Sequence, residues 1–147
     1  MTEDFAITAE FVAGETCELF TVSMAPVSGT ARGLVVFLPP LAEEMHKSRR
    51  TVALQARALA SRGYRVTLVD LPGCGDSSGE FADATWDTWK AEACQLVARM
   101  AGDLGLPVSL WGLRLGALLA CDVAPDIANL QRLLLWQPAL NGEQHID

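Results

Sequence analysis

Residues 107–120, PVSLWGLRLGALLA, decide the fold of this chain. The first half is an apolar run typical of a buried strand, and residues 115–124 are apolar on nearly every side, which is typical of a buried helix. Between them lies Gly112-Leu113-Arg114-Leu115-Gly116. Glycines on either side of an apex residue allow strand and helix backbones to approach closely. The stretch therefore predicts a sharp turn that lifts the side chain of Arg114 clear of a sheet.

The chemistry of this turn points to anions. The amide of Leu115 would open the helix and face any anion held above the turn. A guanidinium holds a carboxylate or phosphate in a fork, and it has no lone pair with which to attack a carbonyl. Two partners for Arg114 stay open: an external anion, or an internal ion pair with Glu43 or Glu44. A plain turn with glycines used for packing is the alternative, which the flanking strands disfavour.

Outward from this stretch, strands and helices alternate along the chain. Ser48 and Thr85 are candidate helix caps. The order is β-β-β-α-β-α-β-α-β, which predicts an α/β fold with three α/β/α layers and a mostly parallel sheet, in a single domain over residues 1–147. The predicted strands are 5–13, 17–26, 33–40, 64–71, 107–112 and 132–138, and the predicted helices are 48–62, 85–104 and 115–124.

Three loops follow strands of this sheet at their carboxyl ends, where reactive groups gather in such folds: 39–48, 72–79 and 112–116. The first carries a basic cluster, which is either functional or a solvated helix start: His46, Lys47, Arg49 and Arg50. The second is rich in glycine, but it lacks the spacing of phosphate-binding loops. We therefore expect it to pack beside the site, with Cys74 as an incidental cysteine.

Composition excludes several classes of function. The net charge is -7 and the isoelectric point is near 4.7, so binding to nucleic acid or to anionic membranes is disfavoured. No apolar run approaches the ~18 residues of a membrane-spanning helix. The acidic start MTEDFAITAEF has no secretory features, which predicts a cytoplasmic protein. No C-x-x-C pair occurs and the two histidines are far apart, so we expect no metal and no cofactor.

Three segments together resemble the α/β-hydrolase superfamily over about residues 17–140: LVVFLPPLAEE, VTLVDLPGCGDSSG and SLWGLRLGALLA. More narrowly, PPLAEEMHKSRR with WGLRLG resembles the exosortase A system-associated hydrolases of the type called hydrolase 2. This resemblance implies a cytoplasmic bacterial hydrolase of an ester, thioester or amide, associated with an exopolysaccharide and protein-sorting system. It also implies an oxyanion hole formed by the amides of Leu41 and Leu115, lined by Glu43, Glu44 and His46.

The sequence departs from that family pattern in two places. Arg114 stands where the elbow serine of the G-x-S-x-G motif is expected, between the elbow glycines Gly112 and Gly116. In the family the acid and the histidine follow later strands, and His145 comes too early to be that histidine. No nucleophile, acid or base therefore lies at a matched position. We expect a C-terminally incomplete version of the fold.

Three functions remain open from the sequence. The first is hydrolysis of a small-molecule substrate. The second is a non-catalytic module that binds an anionic ligand through Arg114 and the Leu41 and Leu115 amides. The third is a scaffold, a pseudoenzyme in which Arg114 is neutralised internally. In every case the strand at 132–138 would leave an apolar edge of the sheet unpaired, which favours a homodimer or aggregation through that edge.

Overall fold

The computed structural model describes residues 5–27 and 29–138, apart from the side chains of Ala42 and Glu43. The order of strands and helices predicted from the sequence is confirmed. The elements are β1 (Phe5–Ala13), β2 (Glu18–Pro26), β3 (Leu34–Leu38), α1 (Ala42–Ser61), β4 (Arg65–Val69), α2 (Trp86–Leu104), β5 (Val108–Leu113), α3 (Leu115–Val123) and β6 (Leu130–Trp136).

The strands form one sheet in the order β1-β2-β4-β3-β5-β6. β2 pairs antiparallel with β1 and β4. The pairs β3–β4, β3–β5 and β5–β6 are parallel, and α1, α2 and α3 make the crossovers that parallel pairing requires. The carboxyl ends of β3, β5 and β6 consequently lie side by side at the same end of the sheet.

Alternate residues of the central strands feed two separate cores. In β3, Val35 and Phe37 face α1, whereas Leu34, Val36 and Leu38 face the core formed with α2 and α3. All five residues of β3 are buried. A strand covered on both faces has no solvated position, which explains its uninterrupted apolar sequence. The predicted three-layer arrangement is therefore confirmed.

The predicted start of the first helix at Ser48 is wrong. α1 begins at Ala42, with Leu41 as the residue before it. The hydroxyl of Ser48 donates to the backbone carbonyl of Glu44 at 2.7 Å, so it bonds within the helix instead of capping it. Glu44 occupies the first turn, where negative charge complements the helix dipole. The earlier start places Glu44 and the basic cluster on the helix.

β6 forms one edge of the sheet and exposes apolar side chains, as the sequence predicts. Leu133, Leu134 and Leu135 are 37%, 37% and 38% exposed. Since side chains of a strand alternate between faces, leucine is exposed on both faces of the sheet at this edge.

A buried carboxylate ties α2 to the hairpin between β1 and β2. Glu92 of α2 is 1% exposed. It accepts hydrogen bonds from the amides of Glu15 and Thr16 at 3.0 and 2.7 Å, and from the hydroxyl of Thr16 at 2.9 Å. A buried charge persists only when hydrogen bonds replace its water, and these three donors meet that requirement. Glu92 thus fixes the hairpin turn against the helix.

Replacing Glu92 with alanine should lower the free energy of unfolding by about 2–3 kcal/mol, because three donors lose their acceptor. Urea denaturation followed by circular dichroism measures this change. Asp103→Ala, at an exposed position on the same helix, is the matched control and should change stability by less than about 0.5 kcal/mol. Equal midpoints for the two variants would contradict the structural role of Glu92.

Candidate functional site

The turn between β5 and α3 holds Arg114 in a strained backbone conformation. Its φ is 57° and its ψ is -117°, outside the regions that L-residues ordinarily occupy. Such a conformation costs about 1–3 kcal/mol and persists where surrounding contacts enforce it. Here the amide of Arg114 donates to the carbonyl of Trp136 at 3.0 Å, and its own carbonyl accepts from the amide of Ala117 at 3.0 Å. The turn is therefore fixed on both sides.

The two glycines of the turn lie where backbones touch. A Cβ added at Gly112 would lie 2.5 Å from the Cα of Ala117. A Cβ added at Gly116 would lie 2.6 Å from the carbonyl oxygen of Pro39 and would also collide with the carbonyl of Leu38. The end of β5, the start of α3 and the end of β3 are thus in direct contact. This contact places the loop at 39–41 beside the turn.

Replacing Gly116 with alanine should destabilise the protein by at least about 2 kcal/mol, because the new methyl group meets backbone atoms of β3 that cannot move independently. Gly102 of α2 is the matched control, since nothing lies within 4 Å of a Cβ built there. Gly102→Ala should stabilise the protein by up to about 1 kcal/mol. Thermal unfolding of both variants tests the pair, and a neutral Gly116→Ala would contradict the close approach.

The side chain of Arg114 contacts groups from two other segments. Its Nε lies 3.5 Å from Oε1 of Glu44, in the first turn of α1. Its Nη1 donates to the backbone carbonyl of Gln137 at 3.2 Å. The side chains of Arg114 and Glu44 are 36% and 41% exposed, and ion pairs this open to water contribute about 0–1 kcal/mol. The carboxylate of Glu44 is therefore an anionic partner of Arg114 within the protein, but this ion pair is weak.

The other residues predicted for the site have different positions. Leu41 precedes α1, and its carbonyl accepts from the amide of Glu44 at 3.1 Å. Leu115 is the buried first residue of α3, where a helix leaves amides without intrahelical partners. His46 is exposed on α1, and no described hydrogen bond or ion pair joins it to Arg114. The side chain of Glu43 lies outside the described residues.

Sequence reasoning missed the part that β6 plays in the site. The carbonyls of Trp136 and Gln137 hold the amide and the guanidinium of Arg114. The sequence did indicate that the end of β6 lies at the site, because a strand that runs parallel to β5 has its carboxyl end beside that of β5. Leu113 pairs with Trp136 in the register of the two strands. The rule that sites gather at carboxyl ends applies to 132–138 as well as to the three loops.

A cleft of about 440 Å³ opens beside the turn, between α1 and the ends of β5 and β6. Trp136 in its wall packs edge-on against Trp111, with ring centroids 4.9 Å apart. The cleft adjoins Gln137, the residue that accepts from Arg114. Most of the surface that lines the cleft belongs to apolar atoms. The lining residues are Ser48, Thr51, Val52, Leu113, Trp136 and Gln137.

The loop at 72–79 uses its polar side chains for structure. The hydroxyl of Ser77 donates to the carbonyl of Asp70 at 2.6 Å and accepts from the amide of Phe20 at 2.8 Å. The hydroxyl of Ser78 accepts from the amide of Glu18 at 2.8 Å. These bonds tether the loop to β2.

The three partly buried cysteines, Cys17, Cys74 and Cys94, have the properties of packing residues. Burial raises the pKa of the Cys74 thiol, and the nearby carboxyl of Asp70 raises this pKa further. Burial is also the main cause of the raised pKa of Cys17 and of Cys94. A thiol with a raised pKa stays protonated at neutral pH, so these three cysteines are not activated nucleophiles.

Neither a metal cluster nor a membrane span occurs in the part of the chain that the structure describes. Within residues 5–27 and 29–138, no group of three or more His, Cys, Asp or Glu side chains is placed to hold a metal ion. Over the same residues, no helix combines the length and the apolar character needed to cross a bilayer.

The Arg114→Gly variant should be more stable than the Arg114→Ala variant by about 1–2 kcal/mol. Alanine is strained at the positive φ of this position, whereas glycine adopts it without strain. Both variants lose the arginine contacts equally, so the difference between them isolates the backbone strain. Chemical denaturation of Arg114→Gly and Arg114→Ala provides the measurement. In an unstrained position the order reverses, and finding alanine the more stable would show that the turn is relaxed.

The chain matches no known protein-family model and no curated protein. Its fold, by contrast, is similar to solved structures. An α/β serine hydrolase homologue from Coxiella burnetii matches with a TM-score of 0.77 and 17% identity, over 95% of this chain and 67% of that one. An α/β serine hydrolase without a lid from Xanthomonas campestris matches with a TM-score of 0.74 and 19% identity, over 88% and 60%. An epoxide hydrolase from Vigna radiata matches with a TM-score of 0.65 and 23% identity, over 88% and 39%.

These similarities establish the α/β-hydrolase fold for this chain. The match covers 60% of the Xanthomonas protein's chain and 39% of the Vigna protein's. The chain thus corresponds to part of the complete fold, which confirms the predicted incomplete α/β-hydrolase architecture.

Proposed function

We propose that the turn at Arg114 binds the carboxylate or phosphate group of a small ligand and does not hydrolyse it. The observation that carries this proposal is the position of Arg114. A strained, tightly fixed turn presents the guanidinium of Arg114, and the resemblance in sequence suggests that a hydrolase has its nucleophile at this position. The conformation has an energetic cost, and strained residues cluster at functional sites. A half-exposed guanidinium at this apex suits recognition of an oxyanion.

Hydrolysis by the apex residue conflicts with its chemistry. A guanidinium remains protonated and offers no lone pair to a carbonyl carbon. Elsewhere in the described residues, Ser77 and Ser78 are committed to backbone groups, and the Cys74 thiol has a raised pKa. His46, the histidine within the described residues, shows no contact with any of them. We therefore favour binding over turnover of an ester, thioester or amide.

Binding would proceed by exchange of one anion for another. The oxyanion of the ligand replaces the Glu44 carboxylate beside Nε of Arg114, since an ion pair at 3.5 Å and this exposed is released at little cost. The amide of Leu115, at the amino end of α3, adds a donor to the same oxyanion. The amide of Leu41 is proposed as the third donor. The remainder of the ligand lies in the apolar cleft beside Trp136.

A scaffold role is the second candidate, and the contact between Arg114 and Glu44 favours it. In that role Glu44 is the permanent partner, and no ligand displaces it. For the biological setting we propose the cytoplasm and a bacterial exopolysaccharide or exosortase system. The support for this setting is the resemblance of residues 39–50 and 111–116 to exosortase-associated hydrolases.

Titration with phenyl phosphate and with benzoate, followed by calorimetry, tests the binding proposal. Arg114→Gln should weaken binding about tenfold or more, because charge-assisted hydrogen bonds are lost. Glu44→Gln should strengthen it about two- to fivefold, because the internal competitor is removed. Arg99→Gln removes a positive charge from an exposed position of α2 and should leave affinity unchanged.

Three results would contradict this proposal. Affinity that is indifferent to Arg114→Gln would show that the anion binds elsewhere. Covalent labelling of the wild-type protein by a fluorophosphonate probe would reveal an activated nucleophile and restore the hydrolase hypothesis. No detectable binding of either anion, with the Arg114–Glu44 contact intact, would favour the scaffold.

A further inference from the structure

A second cleft lies near the amino ends of the parallel strands, whereas Arg114 lies at their carboxyl ends, and it has a volume of about 570 Å³. It adjoins the residues that precede or begin β3, β4, β5 and β6. Ser109 in its wall is five residues before Arg114 along β5, which corresponds to roughly 16 Å of strand. The described lining is Arg32, Gly33, Val35, Leu59, Arg62, Tyr64, Pro107, Ser109, Gln131, Arg132 and Leu134.

The charge of this cleft is opposite to that of the protein. The chain carries 18 acidic and 11 basic residues, for a net charge of -7. Three of those basic residues, Arg32, Arg62 and Arg132, line this one cleft, and none of its described lining residues is acidic. A cleft lined by one sign of charge concentrates the field and attracts counter-ions. The attraction here is for anions.

Arg32 is held in place before any ligand arrives. Its amide donates to the carbonyl of Gly63 at 2.7 Å, and its Nη1 donates to the carbonyl of Arg62 at 3.3 Å. Its guanidinium carbon lies 5.2 Å from the centre of the Tyr64 ring, within cation–π range. A side chain at Gly63 would displace the stem of Arg32, since an added Cβ would lie 3.0 Å from its Cδ. This arrangement reduces the entropy that binding would otherwise lose.

We propose that this cleft binds a multivalent oxyanion, a small molecule that carries two or more phosphate or carboxylate groups. Three guanidiniums match two or three negative charges, and each offers a planar fork that fits a carboxylate or a phosphate. The hydroxyls of Tyr64 and Ser109 and the amide of Gln131 supply further polar groups in the lining. The inference does not depend on the function proposed for the turn at Arg114.

Calorimetric titration of the full chain with inorganic pyrophosphate and with citrate tests this inference, with acetate as the monovalent control. We expect one site for a multivalent anion and binding of acetate that is at least about tenfold weaker. Pyrophosphate alone, citrate alone or both would each support the proposal and would identify the class of acidic group. Arg62→Gln and Arg132→Gln should each weaken binding by about fivefold or more. Arg99→Gln, on α2, should not.

The same titrations contain the results that would overturn the inference. Binding weaker than about 1 mM for both multivalent anions excludes a specific site. Equal losses in Arg99→Gln and Arg132→Gln indicate a diffuse attraction to positive charge. A loss confined to Arg114→Gln places the anion at the turn, which refutes this inference and supports the other proposal. Thermal melts of each variant verify folding, and Arg62→Gln, at an exposed position, keeps the test decisive if Arg132→Gln unfolds.

Discussion

The close approach of three backbone segments at Gly112 and Gly116 is the constraint on which the rest of the site depends. Because β5 and α3 nearly touch, the chain reverses within a single residue, and Arg114 takes a positive φ. Because α3 also touches the end of β3, the first turn of α1 lies beside the apex. The contact of Arg114 with Glu44 then follows from backbone packing and not from mutual attraction, which is small between half-exposed charges.

This constraint separates the architecture of a hydrolase from its chemistry. The sharp turn, the buried helix α3 and the adjacent loop at 39–41 are set by backbone contacts, whereas the side chain of Arg114 at the apex has no nucleophilic atom. A positively charged apex above a helix amino terminus is electrostatically suited to an anion.

Much of the fold could be predicted from the sequence, since it rests on local periodicity and on glycine placement. The order of elements, the doubly buried β3 and the apolar edge at β6 all follow from such patterns. The start of α1 could not be predicted, because Ser48 has both the chemistry of a cap and the option of bonding back to Glu44. The contact of Arg114 with Gln137 could not be predicted either. It is made to a backbone carbonyl, so the residue type at position 137 does not indicate it. The cleft of Arg32, Arg62 and Arg132 is assembled from distant segments, so only the folded chain reveals it.

Occupation of the turn at Arg114 by an external anion can be observed directly. The most direct measurement is a ¹H–¹⁵N NMR titration of the protein with phenyl phosphate. We expect the amides of Leu115 and Leu41 and the Nε–H of Arg114 to shift together and to saturate at a single dissociation constant. If these three signals stay in place while the ligand binds, or if no signal moves, the turn at Arg114 does not bind an anion.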